Sequence, residues 1–147
     1  MIQIDTTRPT YDDHYVMLEG REGVAAGERL KVSLGETVYV GRSRTCDLSL
    51  KKTPAFLRDR DGARARIKAS RGYRSTSRRH VRIAYLSADV VEVQNLSRNG
   101  TFVDGHRVDR VLLSDARRTG HEIRLGLHGD VLRLEPGSLP VEPAPAR

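Results

Sequence analysis

The chain has 147 residues and a formal net charge of +7, with 37% hydrophobic and 5% aromatic residues and no Trp. This length fits one domain with a modest core. No apolar run could span a membrane and no signal peptide opens the chain, so we expect a cytoplasmic protein. Cys46 is the single cysteine, which excludes an internal disulfide and a thiolate zinc cluster.

Short alternating segments separated by turn residues predict about ten strands and no helix. Residues 29–34, for example, place Leu30, Val32 and Leu34 on one face of a half-buried strand. Asp104-Gly105 is a strong signal for a two-residue hairpin. This pattern predicts an antiparallel β-sandwich, with strands at 15–18, 29–34, 37–40, 48–50, 80–85, 90–93, 101–103, 107–108 continuing at 112–113, 121–125 and 130–134.

The same pattern divides the chain into a sandwich and two tails. Residues 1–14 show no clear period and predict an N-terminal tail, and the sandwich is expected at 15–135. Residues 136–147 contain four prolines and no core pattern, which is typical of a linker or a frayed end.

Residues 51–76 interrupt the strand pattern with a basic segment. They contain nine Lys or Arg and two acids, whereas the rest of the chain has equal numbers of both. Such a segment indicates an anionic partner, or else a solvated mobile loop with no dedicated partner. Leu57, Ile67 and Tyr73 are the side chains that could attach it to the sandwich.

Three polar signatures stand where predicted strands end or begin. They are Gly41-Arg42, Ser77-Arg78-Arg79-His80 and Asn99-Gly100-Thr101. Together they supply a guanidinium, a hydroxyl and an amide, which are groups suited to holding a phosphate and a peptide backbone. They contain no obvious chemistry for breaking a bond.

Over residues 15–135 the chain resembles the forkhead-associated (FHA) domain family. The resemblance rests on motifs in the expected order and at strand ends: Val40-Gly41-Arg42-Ser43, Cys46-Asp47-Leu48, Ser77-Arg78-Arg79-His80-Val81, Asn95-Leu96-Ser97-Arg98-Asn99-Gly100-Thr101-Phe102-Val103, Gly105 with Arg107-Val108, and Glu122-Ile123-Arg124-Leu125-Gly126. It implies a β-sandwich of ten to eleven strands, in agreement with the strand count, and recognition of phosphothreonine in a partner protein.

The resemblance also implies the residues that bind. Arg42 matches the arginine that reaches the phosphate and the adjacent peptide backbone, and Ser77 matches the hydroxyl that donates to the phosphate. Asn99 matches the amide that holds the peptide main chain. Arg78 and Arg98 occupy neighbouring positions that often assist, although their residue type varies within the family.

Other positions are implied to support the site. Gly41, His80 and Gly100 match residues that shape the loops without binding, although His80 alternates along its strand with residues expected to be exposed. We expect no enzymatic activity, because no carboxylate is obviously paired to orient His80 beside Ser77. We expect no cofactor and no metal site, since the histidines lack metal-ligand spacing.

The basic segment is the main departure from the family, because most members have a much shorter connection between the positions of Asp47 and Ser77. Three interpretations stay open: recognition of acidic residues beside the phosphothreonine, docking to a larger complex or nucleic acid, and a neutral surface elaboration. The segment has only Phe56 and Tyr73 as aromatics, which gives thin support to nucleic-acid stacking.

The expected function is therefore phosphorylation-dependent protein association in signalling or complex assembly. The partner would be a substrate of a Ser/Thr kinase. A second hypothesis is that the partner is this protein itself, because Thr10 in the tail is followed three residues later by Asp13, a spacing that the resemblance implies for the ligands of many family members. The alternative is an inert polar tail. The alternative functions are a phospho-independent scaffold and nucleic-acid contact through the insertion. We expect no membrane partner, and 22 Arg against 4 Lys hint at a bacterial source.

Overall fold

Residues 14–137, the part of the chain that the computed structural model describes, form eleven strands. The N-terminal tail with Thr10 and nearly all of the predicted C-terminal linker lie outside these residues. The strands are β1 (Tyr15–Glu22), β2 (Arg29–Ser33), β3 (Thr37–Gly41), β4 (Leu48–Ser49), β5 (Val81–Ser87), β6 (Val90–Asn95), β7 (Thr101–Val103), β8 (His106–Val108), β9 (Arg110–Leu113), β10 (His121–Leu125) and β11 (Val131–Pro136).

The strands make two sheets that pack as a sandwich. One sheet has the order β2-β1-β11-β10-β7-β8 and the other β4-β3-β5-β6-β9. The predicted β-sandwich is confirmed, but its strands are not all antiparallel, since β4 runs parallel to β3. The Asp47 carboxylate accepts a hydrogen bond from the Tyr39 N–H at 2.8 Å and thereby holds the returning chain beside β3.

Alternation of buried and exposed side chains fills the space between the sheets. In β10, for example, His121, Ile123 and Leu125 are buried while the residues between them are partly exposed. Burial of each large apolar side chain contributes about 1.5–3 kcal/mol to stability. The core includes Val16, Leu18, Val32, Val40, Val81, Ile83, Tyr85, Val93, Ile123, Leu132 and Leu134.

The predicted hairpin between β7 and β8 is also confirmed. Asp104 and Gly105 both have positive φ angles, of 50° and 83°, as a type I′ turn requires. Val103 and His106 face each other across the turn, so the register of the hairpin is set directly by its two-residue loop.

The prediction of a loop at residues 51–76 is wrong, because the segment is helical. Its helices are α1 (Pro54–Arg58), α2 (Ala63–Ala69) and α3 (Arg71–Ser75), with 3₁₀ turns at Leu50–Lys52 and Arg60–Gly62. Pro54 occupies the first turn of α1, and the Ser70 hydroxyl caps α3 by accepting from the Tyr73 N–H. No helix in residues 14–137 is long and apolar enough to cross a membrane.

Two aromatic rings attach this insertion to the core. Phe56 and Tyr73 stack with their centroids 6.0 Å apart and are only 2% and 5% exposed. Ile67 packs against the same cluster, whereas Leu57, predicted to anchor the insertion, is 56% exposed. Leu57 follows Phe56 on a helix, so the two side chains point to different faces of α1 and only one can reach the core.

Candidate functional site

His80 joins the segment before β5 to the loop between β6 and β7. The imidazole is fully buried, its Nδ1 accepts the Ser77 N–H at 3.0 Å, and its Nε2 lies 2.7 Å from the Gly100 carbonyl oxygen. A carbonyl can only accept, so Nε2 carries the proton. Burial lowers the pKa of His80, against the opposing effect of the bond to Gly100. His80 is thus a neutral link between two loops.

Backbone pairing brings the end of β3 against the same segment. The Arg42 and Ser43 N–H groups donate to the carbonyl oxygens of Ser77 and Arg78, each at 3.0 Å. A Cβ on Gly41 would lie 2.2 Å from the Arg78 carbonyl oxygen, so only glycine permits this approach. Arg42 and Ser77 are therefore fixed side by side by the main chain.

The Arg42 guanidinium lies over the ring of Tyr73. Its Cζ is 5.5 Å from the ring centroid, and its Nε is buried without a hydrogen-bond partner in the described part of the chain. Within residues 14–137, no carboxylate forms an ion pair with this group. A planar donor fork is thus held on one face by an aromatic ring, with its charge uncompensated.

A chain of hydroxyl contacts links Ser77 to Asn99. The Ser77 and Ser97 hydroxyl oxygens are 2.6 Å apart, and Ser97 Oγ accepts the Asn99 N–H at 3.1 Å. Ser97 is buried, and the sequence motifs assigned it no role. A sequence signal for this turn was present, because an Asn side chain often accepts the N–H of the residue two positions further along. Asn95 Oδ1 accepts the Ser97 N–H in this way at the start of the loop.

The Asn99 side chain contacts the insertion directly. Its Nδ2 donates to the Ser75 carbonyl at the end of α3, at 2.7 Å, while its Oδ1 makes no hydrogen bond within residues 14–137. Gly100 has a φ of 87° and its N–H donates to the Ser97 carbonyl, so residues 97–100 form a tight turn.

The remaining arginines of the motifs diverge. Arg98 lines an open groove beside Asn99, whereas Arg79 lies over the Tyr39 ring at 4.8 Å. Arg78 is exposed, and its carbonyl accepts from Ser43 and Cys46 while its guanidinium makes no polar contact in the described part of the chain. The structure therefore brings Arg42, Ser77 and Asn99 together and leaves Arg78 at the margin.

The hydrogen bonds of Ser77 and His80 do not form a nucleophile–base pair. His80 Nδ1 faces the Ser77 backbone N–H, and the hydroxyl contacts Ser97 instead. Among residues 14–137, no group of three or more His, Cys, Asp or Glu side chains could hold a metal ion. The insertion offers no base-stacking surface either, because both Phe56 and Tyr73 are buried.

The model of the FHA domain family matches residues 38–126. The chain belongs to the FHA domain family. FHA domains are interaction modules that generally bind phosphothreonine peptides, and the resemblance read from the sequence motifs is confirmed. No curated protein matches the chain significantly.

Solved FHA structures share the fold at low sequence identity. An FHA domain of an Arabidopsis thaliana hypothetical protein is 22% identical with a TM-score of 0.62, covering 95% of this chain and 100% of that one. The FHA domain of CT664 from Chlamydia trachomatis is 21% identical with a TM-score of 0.59, covering 84% and 99%. EmbR from Mycobacterium tuberculosis, in complex with a low-affinity phosphopeptide, is 20% identical with a TM-score of 0.52, covering 84% and 25%.

Proposed function

We propose that this FHA domain binds a phosphothreonine segment of a partner protein, or of its own chain, and so makes protein association depend on a Ser/Thr kinase. The observation that carries the proposal is the state of Arg42. Its guanidinium is held against Tyr73, carries a buried Nε without a partner, and pairs with no acid in residues 14–137. Because a buried donor without a partner is costly, this site favours an anionic ligand.

Phosphate is the anion that best fits the groups around Arg42. A phosphothreonine carries about −1.5 to −2 charges at pH 7 and three strong acceptor oxygens. The Arg42 fork would pair with two of these oxygens, and the Ser77 hydroxyl would donate to the phosphate in exchange for its contact with Ser97. A charge-assisted hydrogen bond contributes about 1.5–3 kcal/mol.

Asn99 would hold the peptide main chain beside the phosphate. Its Oδ1 makes no hydrogen bond within residues 14–137, so it can accept a peptide N–H, while one N–H of Nδ2 is used by Ser75 and the second can donate to a peptide carbonyl. Arg98 lies next to this amide and adds positive charge, whereas the exposed Arg78 adds positive charge at the edge of the site. The three loops are held in position by Gly41, His80 and Gly100.

Binding without catalysis agrees with the hydrogen bonds of the site. Both ring nitrogens of His80 are used for backbone contacts, which leaves no imidazole nitrogen to activate Ser77. The binding residues would be presented by loops on a rigid sandwich. A micromolar complex corresponds to a binding free energy of about −8 kcal/mol.

The test is fluorescence anisotropy with a degenerate phosphothreonine peptide library and its unphosphorylated twin. We expect binding only to the phosphorylated library, and a weaker signal with Ser77→Ala. Ser87→Ala removes an exposed hydroxyl at the far end of β5 and should bind like the wild type. Equal binding of both libraries would refute the proposal and favour the phospho-independent scaffold.

A further inference from the structure

Helix α3 of the insertion is wedged between the Asn99 loop and the loop between β10 and β11. A Cβ on Gly72 would lie 2.6 Å from the His128 carbonyl oxygen, so the helix backbone rests on that loop. The loop in turn is anchored by the buried Asp130, whose carboxylate accepts the N–H groups of Val24 and Ala25 at 3.1 and 2.7 Å. With Ser75 bonded to Asn99 on its other side, α3 is fixed at both flanks.

This docking creates an open, basic groove of about 420 Å³ beside Asn99. Arg71 and Arg74 lie three residues apart on α3 and so share one side of the helix. The groove is lined by Arg71, Arg74, Ser75, Arg98, Asn99 and His128. It contains no acid, and its three guanidinium groups form no ion pair within residues 14–137.

Arginines elsewhere in the insertion have partners. On α2, Arg64 lies 4.0 Å from the Asp59 carboxylate and also donates to the Phe56 and Leu57 carbonyls, while Arg66 donates to the Asp61 carbonyl. Arg71 and Arg74 form no such contacts in the described residues. Two elements far apart in sequence, α3 and the β6–β7 loop, therefore present free guanidinium groups to one space.

We propose that this groove binds a second phosphate group of the same peptide, so that the preferred ligand is a doubly phosphorylated segment. The inference rests on the proposed function and names its ligand more closely. Three positive charges match a phosphate of about −2 better than a carboxylate of −1, and guanidinium forks suit phosphate oxygens. Asn99 belongs to both sites, so one extended peptide passes from the first phosphate to the second.

The spacing of the two phosphates follows from the reach of an extended chain. Neighbouring sites that share Asn99 are spanned by about two to four residues, or roughly 7–14 Å. The second phosphorylated residue is therefore expected within this distance of the phosphothreonine, on the Asn99 side.

The test compares each doubly phosphorylated peptide with its singly phosphorylated parent, with the second phosphate moved through positions two to four on either side. The measured quantity is the ratio of the two dissociation constants at fixed ionic strength. We expect a gain of at least about tenfold at one position, and a smaller gain when glutamate replaces the second phosphoresidue. Arg71→Gln with Arg74→Gln should abolish the gain, and Arg98→Gln should reduce it.

The matched control is Arg58→Gln with Arg60→Gln. These substitutions remove the same charge from the same insertion. Arg58 and Arg60 line a different surface, with Pro54 and Ala63, so the gain in affinity from the second phosphate should persist. A ratio near one at every position, or an equal loss in both double variants, would overturn the inference while phosphate-dependent binding of the single peptide still supports the proposed function. Displacement of the doubly phosphorylated peptide by a single-stranded oligonucleotide at equal concentration would overturn it too, in favour of nucleic acid.

Discussion

The guanidinium carbon of Arg42 lies 5.5 Å from the centre of the Tyr73 ring, so the insertion directly contacts the arginine that we propose binds phosphate. Tyr73 is held by its stacking on Phe56. The candidate site is thus in contact with a segment that departs from the usual family pattern, and we expect the insertion to influence the binding of phosphate at Arg42.

Replacement of Tyr73 by leucine should weaken phosphopeptide binding while the domain stays folded. Leucine keeps apolar volume at this buried position but removes the aromatic face under Arg42, a contact of about 1 kcal/mol, which is roughly fivefold in affinity. Isothermal titration calorimetry measures the change. Tyr73→Phe keeps the ring and should bind as the wild type does; equal affinity of the leucine and phenylalanine variants would argue against the contact.

His80 should make the domain less stable in acid. Burial lowers its pKa, so its contribution is present above the ordinary histidine pKa of about 6.5 and is lost as pH falls. Protonation of Nδ1 would also break its bond to the Ser77 N–H. We expect the difference in unfolding free energy between the wild type and His80→Gln to shrink from about pH 7 to pH 5.

His121 should show the opposite dependence. Burial alone would lower its pKa, but hydrogen bonds and charges from Asp104 and Asp115, at 2.6 and 2.7 Å, outweigh it and raise the pKa. Its contribution is therefore complete below about pH 6.5 and is lost as pH rises through the raised pKa. Urea unfolding of the wild type and His121→Gln should show a difference that shrinks from about pH 6 to pH 9.

His106 provides the control for both histidine experiments. It is exposed on β8 and makes no ion pair or hydrogen bond through its side chain within residues 14–137. His106→Gln therefore removes an imidazole without breaking such a contact, and its unfolding profile is the reference for the other two variants. Parallel pH profiles for all three variants would contradict both assignments.

The sequence predicted the strands well because their signals are local. Alternation and turn pairs such as Asp104-Gly105 specify a strand or hairpin within a few residues. The helices of the insertion were missed because each has only five to seven residues, too few to show a helical period. Thr53-Pro54 and Ser70 were usable start signals, as they precede or open α1 and α3.

The candidate site was predictable in part. The motifs gave Arg42, Ser77 and Asn99 by resemblance, and the structure gathers their loops through His80 and Ser97. The contacts of Tyr73 with Arg42 and of Ser75 with Asn99 join residues more than twenty positions apart in the chain. Such pairs depend on how the insertion docks, which no local pattern encodes.

The most direct measurement is the affinity of one phosphothreonine peptide for the wild type, Arg42→Gln and Arg44→Gln. Arg44 is an exposed arginine two residues further along the same loop, so its variant removes the same charge at a different place. We expect a loss of at least tenfold, about 1.4 kcal/mol, for Arg42→Gln and little change for Arg44→Gln. Unchanged affinity of a folded Arg42→Gln variant, or equal losses in both, would contradict the proposed function.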